Sequence, residues 1–289
     1  MDRIQIIKLI ISMILVIQFC SVLKADDYLF VYNASYNTNY KEVSRPRIIS
    51  VGLKLIELKK HKNIFPSDIF YNEVMSYSIE EPFGDEHGRS TNVHETVHGI
   101  NSWIRNTYKQ KYKKNINGFY AGAGRGVLVE NPPLTIRDIV PFIPQSVRGY
   151  RYELYFVKQL GDWNDVPTYP IDEWSAYISG AECAVDDAIR NLKTKENSDA
   201  VSGALEFSIY CSALALATKT RCKDYWQTNE QFRNVINYYL IKSEKIFSEG
   251  RDIFPSKKQD ILLLNLREKE ETKELREFLL EHFDGIFVD

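Results

Sequence analysis

Apolar residues recur every three or four positions over much of the chain, the spacing of one face of an α-helix. The clearest case covers residues 90–113, where Ser90 or Thr91 begins a helix whose apolar face is Val93, Val97, Ile100 and Ile104. The same spacing predicts helices over residues 172–192, 199–218, 225–247 and 256–285, a shorter helix from Ser67 and an aromatic helical stretch over 147–159. The last helix begins with a capping-box pair, Ser256 and Gln259, and stops at Gly285.

A second, shorter pattern predicts β-structure. Residues 118–121 and 127–130 are apolar and flank the glycine-rich residues 122–126, which is typical of a β-hairpin. Residues 26–44 are polar and predict an extended lead-in, whereas residues 48–58 form a buried element that is either helix or strand. The chain therefore predicts a single α+β domain over residues 26–289, mainly helical, with a small sheet or hairpin.

The N-terminus has the layout of a secretory signal peptide. Arg3 and Lys8 precede an apolar run over residues 9–23, and Ala25 offers a cleavage position. The run is short for a membrane-spanning helix, which needs about 20 residues. We expect residues 1–25 to be removed on export, with retention as an N-terminal membrane anchor as the alternative. Phe19 is too bulky for a lipoprotein signal at Cys20.

Composition narrows the class of protein further. The net charge of −2 and the 26% of charged residues give no electrostatic reason to expect binding to nucleic acid. No second apolar run of membrane length follows the first, so we expect no stable span in the mature chain. Three cysteines remain after export, which allows one disulfide and a thiol or no disulfide: Cys183, Cys211 and Cys222.

The helix over residues 90–113 contains the sequence HETVH. Positions four apart on a helix differ by about 40° around its axis, so His94 and His98 project from one face. Two imidazole nitrogens on one face can bind a single zinc ion, and Glu95 can reach a water on that ion as a general base. The alternatives are a zinc-binding protein without catalysis and a helical surface protein in which the motif is accidental.

This motif resembles that of the zincin metallopeptidases. The longer H-x-x-G-x-x-H continuation is missing after His98, which leaves the gluzincin branch, where a glutamate on a later helix is the third zinc ligand. Glu173 begins an E-x-x-A pattern similar to several gluzincin subgroups, and Glu182 begins a thermolysin-like E-x-x-x-D. These two glutamates are about 180° apart on one helix, so only one can face the metal. His87 and Asp172 are the remaining candidates.

The resemblance also implies roles for residues around the metal. Tyr177, one turn after Glu173, is the first candidate for stabilising an oxyanion, and Tyr120 is the second. Asn101 is a candidate partner of the ligands, and Arg125 a candidate substrate contact. Residues 127–129 either offer a sheet edge to a peptide substrate or belong to an ordinary core hairpin. The sequence thus predicts a secreted zinc-dependent peptidase that acts on peptides or proteins.

Overall fold

The computed structural model describes residues 27–38, 41–79, 87–112, 115–192 and 198–289. The predicted signal peptide lies outside the described residues, as does the predicted loop over 193–197. Within them the chain is mainly helical with two small antiparallel sheets, so the α+β prediction is confirmed at that level.

Seven helices form the principal framework of the described chain: α1 (Phe70–Met75), α2 (Arg89–Tyr112), α3 (Tyr169–Ile189), α4 (Ala200–Arg221), α5 (Glu230–Gly250), α6 (Lys257–Glu268) and α7 (Lys273–His282). A further six-residue helix, Lys223–Thr228, links α4 to α5. Shorter helical segments are Ile136–Ile139, Val140–Phe142, Gln145–Val147, Tyr150–Tyr152, Leu160–Trp163 and Glu270–Thr272, together with the π-helix Glu153–Lys158. The predicted helices over 90–113, 172–192 and 199–218 correspond to α2, α3 and α4.

The predicted helix over residues 256–285 is wrong, because the structure divides it into α6 and α7. The Thr272 hydroxyl lies 3.0 Å from the carbonyl oxygens of Asn265 and Leu266 and 2.7 Å from that of Lys269. It therefore replaces backbone donors at the end of α6. The predicted capping box is also wrong. Ser256 makes no side-chain cap, and the Gln259 side chain instead accepts a hydrogen bond from the Ser202 hydroxyl at 2.9 Å.

The β-structure is more extensive than the hydrophobic pattern predicts. Strands β1 (Asp27–Thr38) and β2 (Lys41–Gly52) pair from Asp27 opposite Gly52 to Thr38 opposite Lys41, so the expected lead-in is a long paired strand. Residues 48–58, left open between helix and strand, contain the end of β2 and the short β3 (Leu55–Glu57). The predicted hairpin is present as β4 (Ile116–Gly122) and β5 (Arg125–Glu130).

The order β3-β5-β4 places β5 in the centre of its sheet. Val127 is paired with Leu55 of β3 and with Phe119 of β4, and the Leu128 carbonyl accepts a hydrogen bond from Gln231 at 3.5 Å. The outer edge of β4 is occupied as well, because Asn101 accepts the Tyr120 N–H and the Tyr239 hydroxyl donates to the Tyr120 carbonyl. This arrangement favours the ordinary core hairpin over a sheet edge for substrate.

Helix α4 is the centre of the hydrophobic core. It is apolar and long enough to cross a membrane by length and composition, yet 94% of its most apolar window is buried inside the fold. Burial around the whole circumference is typical of a helix enclosed by other elements. Helices α3, α5, α6 and α7 all pack against it.

A second apolar cluster fixes the position of α2. The predicted apolar face of this helix is buried against β4 and α3, and includes Val93, Val97, Ile100 and Ile104. Gly118 of β4 lets Ile104 approach closely: a Cβ at Gly118 would lie 2.3 Å from Ile104 Cγ2. Packing of this face leaves the His94 and His98 side chains directed toward the N-terminal half of α3.

Glu244 of α5 joins the β1–β2 hairpin to the C-terminal segment. Its carboxylate accepts hydrogen bonds from the Tyr32 hydroxyl at 2.5 Å and from the Phe287 N–H at 2.7 Å, and pairs with Arg47 at 3.2 Å. Glu244 and Arg47 are both buried. Arg47 has a second carboxylate neighbour, Asp289 at 3.5 Å, but Glu244 is its buried partner.

We predict that Glu244→Ala lowers the free energy of unfolding by about 3–5 kcal/mol, because it removes the buried partner of Arg47 and leaves that guanidinium only the half-exposed Asp289 carboxylate, 3.5 Å away. Urea denaturation measures the change. Glu249→Ala is the matched control on the same helix, since Glu249 makes only an exposed pair with Lys245, and it should cost less than about 1 kcal/mol. Equal effects of the two substitutions would contradict this role of Glu244.

Candidate metal centre

The two histidines of HETVH face each other one turn apart on α2. Their Nε2 atoms are 3.1 Å apart, and the ring centroids are separated by 4.8 Å. Both side chains are only partly buried, with 15% of His94 and 25% of His98 exposed. The nitrogens therefore converge on one point that solvent can reach.

Glu173 of α3 provides a third ligand atom at this point. Its Oε2 lies 3.8 Å from His94 Nε2 and 3.5 Å from His98 Nε2. Among the described residues, these are the three side chains whose ligand atoms lie close enough together to hold one metal ion. Atoms bound tetrahedrally at about 2.0–2.1 Å from zinc are about 3.3 Å apart, so the separations suit a common ion.

The same oxygen of Glu173 lacks a hydrogen-bond donor. Glu173 is 4% exposed, and its other oxygen, Oε1, accepts a hydrogen bond from the Tyr169 hydroxyl at 2.6 Å. Oε2 is buried and accepts none. A buried, unpaired carboxylate oxygen is costly unless a donor or a cation satisfies it.

Asp172 orients one of the histidines. Its Oδ1 lies 2.6 Å from His98 Nδ1, so that it can accept a hydrogen bond from the Nδ1–H and hold the ring with Nε2 toward Glu173. Asn101 donates to the same Asp172 oxygen at 3.1 Å and accepts the N–H of Tyr120 at 2.7 Å. Asp172 is therefore a partner of His98, and Asn101 connects it to β4.

Neighbouring charges shift the pKa values of the three groups. Burial lowers the pKa of His94 to about 3, and the adjacent His98 acts in the same direction. Burial also lowers the pKa of His98, but Asp172 and Glu173 outweigh it and raise the value to about 10. Burial raises the pKa of Glu173, whereas the histidines and Tyr169 hold it below its ordinary value. A metal must therefore displace a proton from His98 to bind there.

Glu95 lies at the junction of two cavities beside the histidines. One has a volume of about 380 Å³ and extends toward Asp199, and the other, of about 450 Å³, extends toward Trp163. Both are lined by His94, Glu95 and Tyr155. The Glu95 side chain is exposed. The candidate metal centre therefore opens on both sides, with Glu95 between them.

Tyr177 contacts a candidate ligand directly. Its ring packs edge-on against that of His94, with centroids 4.5 Å apart, and the Arg151 guanidinium lies over the ring at 4.5 Å. Gly203 of α4 makes room for the ring, since a Cβ there would lie 2.2 Å from Tyr177 Cδ1. Tyr177 lies one turn after Glu173 on α3, as the sequence predicts, and its ring reaches that of His94. Both residues line the cavity that extends toward Asp199.

Tyr155 is a site residue that the sequence reasoning missed. It belongs to the π-helix Glu153–Lys158 and lines both cavities. Burial raises the pKa of its hydroxyl, and the Glu173 carboxylate adds to the effect, so the hydroxyl remains a donor. The aromatic run over residues 150–156 was the available signal. Its helical periodicity could not identify Tyr155, because a π-helix changes the residue spacing.

The other candidates have partners away from this centre. Glu182 pairs with Lys242 at 2.8 Å, and the Tyr120 hydroxyl donates to Glu73 at 2.8 Å. Arg125 lies over the ring of Tyr28. The structure does not bring His87 into the group of three ligand atoms. Cys183, Cys211 and Cys222 are free thiols, so the structure favours no disulfide over one among these three residues.

Comparison of the chain with known proteins identifies no relative. No family model matches the chain, and neither a curated protein nor a solved structure matches it.

We predict that Gly203→Ala lowers the free energy of unfolding by about 1–3 kcal/mol, because the added methyl group overlaps the Tyr177 ring. Gly161→Ala is the control, since a Cβ at Gly161 meets no atom within 4 Å. Urea denaturation of Gly203→Ala, Tyr177→Ala and the double variant gives the coupling between the two positions. Strictly additive changes would show that the ring does not depend on Gly203.

Proposed function

We propose that the protein is a zinc-dependent metallopeptidase of the gluzincin type. The observation that carries the proposal is the buried, unpaired Oε2 of Glu173, which faces the Nε2 atoms of His94 and His98. The exposed Glu95 beside these atoms, where two cavities meet, adds the group that hydrolysis requires.

The donor set supports zinc as the ion. Two imidazoles and one carboxylate make the ligand set of a catalytic zinc site, whereas structural zinc sites are usually closed by cysteines. Among the described residues, no cysteine belongs to the group of three ligand atoms, and Cys183 and Cys211 are buried thiols whose pKa values burial raises. The hydrogen bond between Asp172 and His98 supplies the orienting contact common beside histidine ligands.

The side chains around the candidate metal centre have separate roles in peptide hydrolysis. Zinc, when bound, supplies a Lewis acid that polarises the substrate carbonyl and lowers the pKa of a coordinated water. Glu95 accepts the proton of the attacking water and donates it to the leaving amine. Tyr155 and Tyr177 line the cavity that extends toward Asp199, and a tyrosine hydroxyl is a donor that can stabilise the developing oxyanion.

The cavities on both sides of Glu95 favour a peptide or a protein as the substrate. A peptide lying across the centre would extend into each cavity, with the bond to be cleaved above Glu95. The occupied edge of β4 and the central position of β5 favour recognition through side-chain pockets over strand addition. The predicted signal peptide supports an exported enzyme that acts outside the cytoplasm, with the uncleaved membrane anchor as the alternative.

We predict that Asp172→Asn weakens zinc binding about 10- to 100-fold, because the neutral amide no longer supports the proton on His98 Nδ1. Competition with a chromogenic chelator measures the affinity. Asp165→Asn is the control, since Asp165 is exposed on the loop before α3. Both metal-free variants should retain the wild-type circular dichroism spectrum. Unchanged affinity of Asp172→Asn would contradict the orienting role.

We predict that Glu95→Gln retains one zinc per chain but lowers kcat/KM for peptide cleavage by about 10²- to 10⁴-fold, because the general base is lost. Cleavage is followed by mass spectrometry of a peptide library, and zinc by elemental analysis. Glu268→Gln, at an exposed position of α6, should cleave like the wild type. Zinc binding without cleavage by the wild type would instead support a non-catalytic zinc protein.

A further inference from the structure

A third cavity adjoins the candidate cleft. It has a volume of about 820 Å³ and lies between residues 146–151 and the start of α6. Asp199 lines this cavity and also the cavity on one side of Glu95. The two spaces are therefore neighbours, and a chain that crosses the cleft on that side can reach the larger one.

The distance from the candidate metal centre is short. The Tyr177 ring contacts the His94 ring, and the Arg151 guanidinium, which lines the large cavity, lies 4.5 Å from the Tyr177 ring. Two side-chain contacts thus separate the cavity from a proposed ligand. An extended peptide advances about 3.3 Å per residue, so a residue two or three positions from the cleaved bond reaches this depth.

The cavity carries an excess of positive charge. Arg151 is neutralised within the fold, since it pairs with Glu206 at 3.0 Å and with Asp199 at 2.6 Å. Arg148 donates to the Ile143 carbonyl at 3.0 Å, and the Glu271 carboxylate, which accepts the Ser146 N–H at the cavity, offsets part of its charge. Lys257 and Lys258 are exposed and form no ion pair with any residue that the structure describes. The cationic groups that remain can compensate an added carboxylate.

The two lysines occupy positions that a helix would not favour by itself. They are the first two residues of α6, where the helix dipole stabilises acidic side chains and disfavours cations. The cavity between them and residues 146–151 also exposes large apolar groups, with Tyr150 72% and Ile261 56% exposed. Its walls therefore combine an apolar surface with a cationic rim.

We infer that this cavity is a substrate subsite that selects an acidic side chain two or three residues from the cleaved bond. The inference rests on the proposed peptidase function. Arg148, Lys257 and Lys258 attract the carboxylate, and Tyr150 and Ile261 contact the carbon atoms of the bound segment. Because the charges lie at an exposed rim, their attraction weakens as salt concentration rises.

The test begins with the zinc-loaded full-length mature chain and a proteome-derived peptide library. Mass spectrometry identifies the cleaved sequences, and we expect aspartate or glutamate to be enriched at one fixed position on one side of the cut. Synthetic peptides with glutamate at that position, and matched peptides with glutamine, then give kcat/KM. We expect the glutamate peptides to be preferred by about tenfold at low salt, with the preference reduced in 0.5 M NaCl.

The decisive variant is Lys257→Glu combined with Lys258→Glu. We expect it to abolish the preference for glutamate, measured as the ratio of kcat/KM for the glutamate and the glutamine peptides. The acidic side chains should stabilise the start of α6, so thermal unfolding excludes loss of fold as the cause. The matched control is Lys223→Glu combined with Lys273→Glu, which reverses two exposed lysines that also begin helices. This control should keep the preference.

The outcomes separate this inference from the proposed function. Cleavage without an acidic preference, or a preference that survives Lys257→Glu with Lys258→Glu, overturns the subsite and leaves the peptidase proposal standing. A library that remains intact with zinc-loaded wild type overturns both proposals.

Discussion

The burial of Glu173 between α2 and α3 is the constraint on which the site depends. One carboxylate oxygen is held by Tyr169, and the other faces two imidazoles without a donor. Such an arrangement is stable only if the surrounding helices are fixed and the remaining charge is compensated. Close packing supplies the first condition: the fully buried Ala176 lies one turn after Glu173, and Ser90 of α2 donates to the Gly180 carbonyl at 2.9 Å.

The small sheet supports the candidate centre from behind. The Tyr120 N–H is bonded to Asn101, Asn101 donates to Asp172, and Asp172 contacts His98. A displacement of β4 would therefore be transmitted to the orientation of a proposed ligand. In this arrangement the outer edge of β4 is bonded to Asn101 and Tyr239 at Tyr120, so that this position is not free to pair with a substrate strand. On the opposite side Tyr177, accommodated by Gly203, limits the movement of His94.

Periodicity was sufficient to predict the features that depend on a single helix. The pairing of His94 with His98 and the buried face of α2 follow from 3.6 residues per turn, and the 180° between Glu173 and Glu182 correctly required that only one face the histidines. Which one does so depends on tertiary packing, since Lys242 of α5 pairs with Glu182. The contact of Asp172 with His98 likewise requires two helices. Tyr155 depends on a π-helix, and the end of α6 on the Thr272 hydroxyl, neither of which a regular period reveals.

The most direct measurement of the central claim is the location of zinc in a crystal of the zinc-loaded protein by anomalous diffraction at the zinc absorption edge. The account predicts one strong peak about 2.0–2.2 Å from His94 Nε2, His98 Nε2 and a Glu173 carboxylate oxygen. A zinc peak at any other set of side chains, or a crystal that takes up no zinc between α2 and α3, would contradict it.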